Sequence, residues 1–230
     1  MPIAAYCRPA AYRAFALSLP AIDTPAGLFR AGWAIAQHDL PDAALAAGDV
    51  VVSNLAMAVK RRVQSGSTEA LLAHLHDVMF DVAGFRGNRE DYYNPANSYL
   101  PEVLRTRRGL PITLVLVYRH VAAEAGLVVH GVNAPGHFLA EVEIDEAGEK
   151  RSIYVDPFYG GGMLHEAEVL ARIAEATGRQ VEPTADLMAR ATPRQWLARM
   201  LHNLQAALAA AGRERDVFAM QELEQLLHVT

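Results

Sequence analysis

Apolar residues recur every three or four positions through most of this chain, which is the spacing of amphipathic helices. In the first third, prolines separate two short apolar segments. Further along, Ser67 or Thr68 offers an N-cap for a helix that ends at Gly84. We therefore predict a helical N-terminal part, with helices over residues 10–19, 25–37, 42–63 and 68–83.

The middle of the chain changes from helical spacing to strand spacing. A helix is predicted to begin near Pro111, because proline is tolerated in a first helical turn, and to end at Gly126. Three β-rich segments follow, with turn residues Asp145 and Gly148 between the last two. The segments cover residues 128–132, 138–144 and 153–155, and His137 opens the second while Asp156 closes the third.

The last third returns to helical spacing. A helix over residues 166–177 stops at Gly178. Thr192, Pro193 and Gln195 fit an N-cap, a first-turn proline and a capping-box partner. They begin a helix that ends at Gly212, and a second apolar stripe follows it. This pattern predicts a hairpin of two helices, which must bury its apolar face on the main domain or on a partner.

Three motifs in the middle of the chain carry a family resemblance. They read GFRGNREDYYNPANSYLPEVLRTRRGLPITL, NAPGHFL and VDPFYGG. They resemble the SirB-type transglutaminase-like family, whose members join a helical N-terminal part, a papain-type core and a tetratricopeptide-like tail. The resemblance implies an α+β fold in which a helix packs on a small antiparallel sheet. We divide the chain into a helical region (1–83), a core (84–180) and a docked helical hairpin (181–230), forming one compact unit.

In a transglutaminase-like core, a cysteine at a helix N-terminus, a histidine on one strand and an aspartate on the next form a thiol triad. The resemblance places His137 and Asp156 in the last two positions and Pro111 in the position of the cysteine. Proline has neither a nucleophilic atom nor a backbone N–H for an oxyanion site. Thr113 lies two helical positions further, about 200° around the axis, and Cys7 is remote in sequence. The sequence therefore favours a protein that has lost its nucleophile.

His137 and Asp156 admit several roles. A buried hydrogen bond between them that satisfies both groups is one, and activation of a water by the imidazole is another. A metal site would recruit Glu141 and His130 as well, but the chain lacks a compact ligand signature such as HExxH. We predict no metal and no cofactor.

Residues 84–97 form a polar loop that exceeds the ~4–6 residues typical of compact domains, which favours a functional role or special packing. Its tyrosines and amides could line a cleft, or they could anchor the loop and satisfy its own backbone. Arg86 and Arg89 could bind a carboxylate or phosphate. The candidate binding residues are Arg86, Asn88, Tyr92, Tyr93, Asn94, Asn97, Arg108 and Thr113.

Composition narrows the function classes. A formal charge of −5 over 230 residues gives no general attraction for nucleic acid. No segment reaches the ~18 uninterrupted apolar residues of a membrane span. A single cysteine and the lack of a signal-peptide pattern indicate a reducing cytoplasm. We expect neither nucleic acid nor a membrane as a partner.

The preferred function is a non-catalytic binding or regulatory module for an unknown protein or peptide, with a cleft near His137, Asp156 and the 92–97 loop. One alternative is a hydrolase or amide-transferring enzyme with an unrecognised nucleophile or an activated water. Another is a scaffold that binds a partner through the C-terminal hairpin. Fold resemblance does not transfer an activity when the attacking atom is absent.

Overall fold

The computed structural model describes residues 4–64, 67–146, 149–178 and 185–228. Among these residues, no helix is both long enough and apolar enough to cross a membrane. The α-helices are α1 Pro9–Ser18, α2 Pro25–Ala36, α3 Leu45–Arg62, α4 Thr68–His76, α5 Leu100–Thr106, α6 Pro111–Ala125, α7 Glu166–Thr177, α8 Pro193–Ala210 and α9 Glu214–Leu226. The strands are β1 Arg86–Gly87, β2 Arg108–Gly109, β3 Val129–Val132, β4 Leu139–Glu146, β5 Glu149–Asp156 and β6 Gly162–Leu164.

The larger sheet is antiparallel, with strand order β3-β4-β5-β6. Ala140 of β4 pairs with Val155 of β5, and Asp156 pairs with Gly162 of β6. The start of β4 therefore lies beside the end of β5. Strands β1 and β2 make a separate parallel pair of two residues each, which ties the 84–97 loop to the chain just before α6.

Helix α6 is the central helix of the core. Its residues are buried around almost the whole circumference, as expected of a helix enclosed by others. Pro111 occupies the first turn, and Gly126 ends the helix with φ 109°, a left-handed conformation that favours glycine. The helix packs against α2, α3, α5 and the sheet.

A continuous cluster of buried apolar side chains joins the N-terminal helices, α6, one face of the sheet and the C-terminal hairpin. Helix α8 packs on α2 and α9 packs on α1, so the hairpin buries its apolar face against the N-terminal helices. A smaller cluster, which includes Leu139, Val169 and Ile173, lies between the sheet and α7. The predicted α+β fold, with a helix on a small antiparallel sheet, is confirmed.

Several local features differ from the sequence expectations. The helix predicted over 68–83 changes from α to π geometry at Asp77–Val82. Strands β1, β2 and β6 were not predicted from the sequence. Each is only two or three residues long and includes a glycine, so it is too short to show the alternation of polar and apolar residues that indicates a strand. The turn expected at Gly148 and the boundary expected between residues 180 and 181 lie outside the described residues.

Candidate functional site

The side chains of His137 and Asp156 are hydrogen-bonded to each other. His137 Nε2 lies 2.9 Å from Asp156 Oδ2, and Asp156 is fully buried while His137 is 8% exposed. A carboxylate only accepts hydrogen bonds, so Nε2 is the donor and Nδ1 of the neutral ring is left as an acceptor. In the part of the chain that the structure describes, His137 Nδ1 has no hydrogen-bond partner.

The end of β5 fixes the aspartate. Asp156 Oδ1 accepts hydrogen bonds from the backbone N–H groups of Phe158 and Tyr159, at 3.1 and 3.4 Å. These bonds cap the 3-10 turn Pro157–Tyr159 that follows the strand. One carboxylate oxygen therefore holds the backbone, and the other is free to meet the imidazole.

His137 reaches the aspartate from the turn before β4, not from the strand itself. The sequence placed this residue at the start of the strand, but β4 begins at Leu139. Gly136 has φ 71°, which lets the chain turn sharply, and His137 N donates to Ala134 O at 3.1 Å. This turn directs the chain back toward the end of β5.

Aromatic side chains from the VDPFYGG motif and the 84–97 loop surround the pair. The ring centroids of Phe158 and Tyr159 lie 6.1 and 6.0 Å from that of His137. Tyr92 meets Phe158 edge to face at 5.9 Å. The loop therefore contacts one of the aromatic rings that lie beside His137.

Two arginines lie beside the Tyr159 ring, and a third, Arg199, lies over the ring of Phe138. The guanidinium carbons of Arg172 and Arg89 lie 4.2 and 5.6 Å from the Tyr159 ring centroid. Arg172 Nε is also 3.9 Å from Asp156 Oδ2. Burial lowers the pKa of Arg199, against a smaller opposing effect of the nearby Tyr92. The surroundings of the pair are thus both aromatic and cationic.

The position assigned to the nucleophile offers no nucleophilic atom. Pro111 is the first residue of α6 and is buried. Thr113 is fully buried, and its Oγ1 donates toward Asn97 O or Leu110 O, at 2.9 and 3.1 Å, while accepting from Leu110 N at 3.0 Å. Its hydroxyl forms hydrogen bonds at the N-terminus of α6, and the residue is fully buried, so Thr113 does not contact a ligand at the surface.

Cys7 belongs to a different corner of the molecule. The thiol-bearing residue is 3% exposed, and its backbone N–H donates to Glu222 Oε2 on α9 at 2.8 Å. Burial, with the negative charge of Glu222, raises the pKa of the Cys7 thiol to about 12. The thiol is therefore protonated near neutral pH and is a poor nucleophile.

The amides of the 84–97 loop mainly satisfy the loop itself. Asn97 Nδ2 donates to Asp91 O at 2.6 Å, and Asn97 Oδ1 accepts from Asn88 Nδ2 at 2.9 Å. Asn94 Oδ1 accepts from Ala96 N at 2.9 Å. These contacts match the alternative in which the polar groups fix the loop backbone.

Three of the candidate binding residues line a cavity. Tyr92, Tyr93 and Asn94 form one side of a space of about 250 Å³, and α8 forms the opposite side with small alanine side chains. Leu110, the residue before Pro111, also lines it. The wall includes Ser98, whose hydroxyl is buried without a partner. This cavity therefore adjoins the N-terminus of α6.

The remaining candidates lie at the edge of the site or are used elsewhere. Arg86 and Arg108 pair in register between β1 and β2, and among the described residues neither guanidinium forms an ion pair. Glu141, considered above as a metal ligand, instead accepts two hydrogen bonds from Arg190 and one from Ser152. The His and carboxylate groups of the described residues form no cluster of three or more that could hold a metal ion.

Four residues of this site were not among the candidates predicted from the sequence. Phe158 and Tyr159 directly follow the Asp-Pro pair, so the VDPFYGG motif could have indicated them. Arg172 and Arg199 lie on α7 and α8, far along the chain, and no local pattern distinguishes them from other helix-surface arginines.

Comparison with known proteins gives a family match over most of the chain. Residues 50–202 match the family model of the transglutaminase-like superfamily. A UPF0162 protein of Xylella fastidiosa is 32% identical over 183 residues, which cover 78% of this chain and 64% of that protein. A UPF0162 protein of Vibrio cholerae is 34% identical over 102 residues, which cover 44% of this chain and 35% of that protein.

A mammalian relative shares a shorter segment. F-box only protein 21 of Mus musculus is 36% identical over 138 residues, which cover 58% of this chain but 21% of that protein. This chain therefore spans less than two thirds of the length of these relatives. No solved structure matches the chain.

Proposed function

We propose that this chain, which belongs to the transglutaminase-like superfamily, is a member without a thiol nucleophile that acts as a binding or regulatory module for a protein or peptide. The observation that carries the proposal concerns His137 Nδ1. Among the described residues, no thiol or hydroxyl is hydrogen-bonded to this atom, although Nε2 is held by Asp156 as in a triad.

The other chemical groups support the same conclusion. The Thr113 hydroxyl is consumed by the start of α6, and the Cys7 thiol is buried against Glu222. The cavity beside Tyr92 and Tyr93 adjoins Leu110, where an acyl group would meet a nucleophile at the start of α6. An apolar cavity with a few polar groups is typical of a binding site.

The ligand class follows from the surrounding side chains. Arg89 and Arg172 flank Tyr159, and Tyr92 and Tyr93 expose aromatic surface. Aromatic and arginine side chains are enriched where peptides and proteins bind. We expect a peptide segment that places an apolar side chain against the tyrosines and an acidic group near the arginines.

A restored thiol tests whether Pro111 occupies the nucleophile position. Pro111→Cys places a thiol at the N-terminus of a 15-residue helix, where the helix dipole lowers a thiol pKa. We expect iodoacetamide to alkylate this thiol near neutral pH and His137→Ala in the same background to slow the reaction. Cys7 is the internal control, because burial raises its pKa to about 12. An alkylation rate that is the same with and without the His137 imidazole would show that positions 111 and 137 do not face each other.

Binding and turnover are then measured together. The wild-type chain is titrated with a defined pool of short acidic and neutral peptides, and the His137 ring resonances are followed by NMR. We expect shifts without hydrolysed product, and Tyr92→Ala should weaken binding about tenfold, since a contact of that size is worth about 1.4 kcal/mol. Tyr6→Ala, at an exposed tyrosine that lines no part of this cavity, is the matched control. The absence of any perturbation of His137 by the pool would contradict the proposal.

The open His137 Nδ1 also favours a second candidate, a hydrolase that activates water. An imidazole whose other nitrogen is fixed by a carboxylate has the arrangement of a general base. If the protein is such a hydrolase, we expect it to hydrolyse p-nitrophenyl esters or peptide amides. The pH dependence of the hydrolysis rate should follow a His-like ionisation, and the activity should disappear in His137→Ala. A rate that is equal in the two proteins removes it.

The narrower family assignment and the cellular location are part of the same proposal. The three motifs and the UPF0162 relatives support membership of the SirB-type group. We propose that the hairpin of α8 and α9 is the tetratricopeptide-like unit of that group, and the two consecutive helices support this assignment. A single buried cysteine is compatible with the reducing cytoplasm. A scaffold role for the hairpin has less support, because its apolar residues pack on the rest of the protein.

A further inference from the structure

The two edges of the larger sheet differ in how far their backbone groups are paired. At the β3 edge, the segment 189–191 pairs with the strand, and Ala191 N donates to Gly131 O at 2.7 Å. At the other edge, β6 pairs only with residues 154–156 of β5. In the part of the chain that the structure describes, residues 149–153 of β5 therefore have no neighbouring strand on that side, and we call them the open edge.

The backbone groups that point outward from the open edge belong to Ser152 and Lys150. In an antiparallel sheet, the N–H and C=O of one residue point to the same neighbouring strand, and those of the next residue point to the opposite side. Asp156 O accepts a hydrogen bond from Gly161 N, just before β6, at 2.8 Å, so the Asp156 backbone faces the β6 side. Because the direction alternates, Ser152 and Lys150 face the same side.

The pairing with β4 gives the same direction independently. Ser152 lies opposite Glu143 in the register of β4 and β5. Glu143 N donates to Val128 O at 3.0 Å, so the Glu143 backbone faces β3. The two residues therefore form a non-hydrogen-bonded pair, and the N–H and C=O of Ser152 point away from β4. Ser152 is exposed, and no described residue forms a hydrogen bond with its backbone groups on the open side.

A groove of about 470 Å³ runs along this part of the sheet. Residues 151–154 of β5 line one side of it, and residues 163–166 line the other. Strand β6 ends at Leu164 and α7 begins at Glu166, so the chain leaves the sheet at this point. The groove therefore occupies the space into which a longer β6 would extend.

The chemistry of the groove fits an extended peptide backbone. An edge strand with unpaired N–H and C=O groups accepts an additional strand, whose main chain supplies affinity and whose alternate side chains supply specificity. A strand that continues the direction of β6 is antiparallel to β5. Its residue opposite Ile153 lies on the same sheet face as Ile153 and the exposed Met163, which favours an apolar side chain.

A charge adds to this selectivity. Lys150 is exposed and forms no ion pair among the described residues. Opposite charges that face each other across two strands stabilise the pairing, and like charges weaken it. The residue of the added strand that lies opposite Lys150 is therefore expected to be acidic.

We propose that the open edge of β5 binds an extended segment of a partner protein, which adds as a strand antiparallel to β5. The segment carries an apolar residue opposite Ile153 and, three positions later, an acidic residue opposite Lys150. Ser152 lies about 13 Å along the strand from Asp156, at ~3.3 Å per residue. This surface is therefore separate from the His137 cleft, and the inference does not depend on the function proposed above.

A proline at position 152 provides a direct test. Ser152→Pro removes an N–H that points outward, so the ladder to β4 stays intact, and proline is tolerated at such edge positions. Both Ser152→Pro and Ser152→Ala lose the hydrogen bond from Ser152 Oγ to Glu141 Oε1. Ser152→Ala keeps the backbone N–H, which makes it the matched control.

Binding is measured on the full chain with an acetylated and amidated peptide, Val-Thr-Val-Glu-Val-Thr, by ¹H–¹⁵N NMR. We expect the amide signals of Ser152 and Lys150 to shift to saturation in the wild type and, for the corresponding residues, in Ser152→Ala. Ser152→Pro should bind at least about tenfold more weakly, since it lacks a main-chain donor at the centre of the groove.

A charge exchange tests the orientation of the added strand. Replacing the glutamate of the peptide by lysine should weaken binding to the wild type about three- to fivefold. Lys150→Glu should reverse the preference, so that the lysine peptide binds more tightly than the glutamate peptide. If Ser152→Pro does not fold, this reversal decides the proposal.

Three results would overturn the proposal. One is the absence of saturable shifts at Ser152 and Lys150, which would leave the open edge as a solvated end of the sheet. Another is equal weakening by Ser152→Pro and Ser152→Ala, which would show that the peptide does not use the backbone. The third is a dimer of the wild-type chain that Ser152→Pro dissociates, because the edge would then belong to a second copy of this chain.

Discussion

Two histidine–aspartate pairs in this protein have the same separation but different surroundings. The nitrogen–oxygen distance is 2.9 Å for His137 with Asp156 and also for His38 with Asp216. His38 Nδ1 accepts a hydrogen bond from the backbone N–H of Arg8 at 3.2 Å. His137 Nδ1 has no partner among the described residues.

The difference shows how a histidine–aspartate pair with a purely structural role is distinguished from a pair whose imidazole can still bind a ligand or accept a proton. At His38 both ring nitrogens are used, so the ring joins α1, the end of α2 and α9 without an atom left for a ligand. At His137 the carboxylate orients the ring and one acceptor nitrogen stays open. The separation of the two partners does not reveal this difference, whereas the second nitrogen does.

The largest expected effect comes from removing the buried carboxylate. Asp156→Ala leaves the imidazole N–H and two backbone N–H groups without their acceptor. We expect a loss of about 3 kcal/mol in the free energy of unfolding, measured by chemical denaturation. Asp156→Asn keeps an oxygen for the backbone, so it should lose less. Equal losses in the two variants would mean that the backbone bonds contribute little.

A histidine with a neutral partner sharpens the comparison. His76 Nε2 lies 3.0 Å from the hydroxyl of the fully buried Tyr118, and burial lowers the pKa of His76 from 6.5 to about 4. The unfolded chain therefore takes up the proton more readily, and stability present above pH 6.5 is lost as the pH falls toward 4.

The size of that loss can be measured against a variant. We expect the wild type to lose about 2 kcal/mol over this interval, allowing for the partial exposure of His76. His76→Gln keeps a polar group near Tyr118 but has no titration there, so its stability should change less with pH. Parallel curves for the two proteins would remove His76 as the source.

The smallest effect is expected at the His38–Asp216 pair, whose carboxylate is the more accessible of the two. Asp216 is partly solvent-accessible, and Arg213 retains its bonds to Asp39 when Asp216 is removed. Asp216→Ala should therefore cost about 1 kcal/mol in the free energy of unfolding near neutral pH.

Acid should reduce that difference. Desolvation opposes ionisation of Asp216, but hydrogen bonds from His38 and Arg213 hold its pKa below the usual 3.8. Its contribution is present above that value and is lost as the pH falls through the lowered pKa. The unfolding free energies of wild type and variant should thus converge below about pH 4. A loss at neutral pH as large as that of Asp156→Ala would contradict the contrast between the two pairs.

Much of the fold could be predicted because its signals are local. Pro111 and Gly126 mark the ends of α6, and the Thr192–Gln195 capping pair begins α8. A proline, a positive-φ glycine or a cap acts on the backbone within one helical turn, so its effect is encoded within a few residues. The π-helix at Asp77–Val82 was missed because its apolar spacing resembles that of an α-helix.

Only those residues of the candidate site that lie within the three family motifs could be predicted from the sequence. His137, Asp156 and Tyr92 lie in those motifs, and the structure brings them to one place. Thr113 lies in a motif too, but its burial and hydrogen bonds to Leu110 and Asn97 depend on how the preceding loop packs. The motif alone does not distinguish a ligand contact from a helix-start contact.

The sequence by itself determined the order of most helices and strands, and it supplied the family motifs in which the resemblance assigns roles to Pro111, His137 and Asp156. Tertiary structure decided that Arg172 lies 3.9 Å from the Asp156 carboxylate and that Cys7 is buried beside Glu222. Helix limits depend on interactions within a few residues. Charge, burial and unpaired donors depend on contacts between segments that only packing brings together.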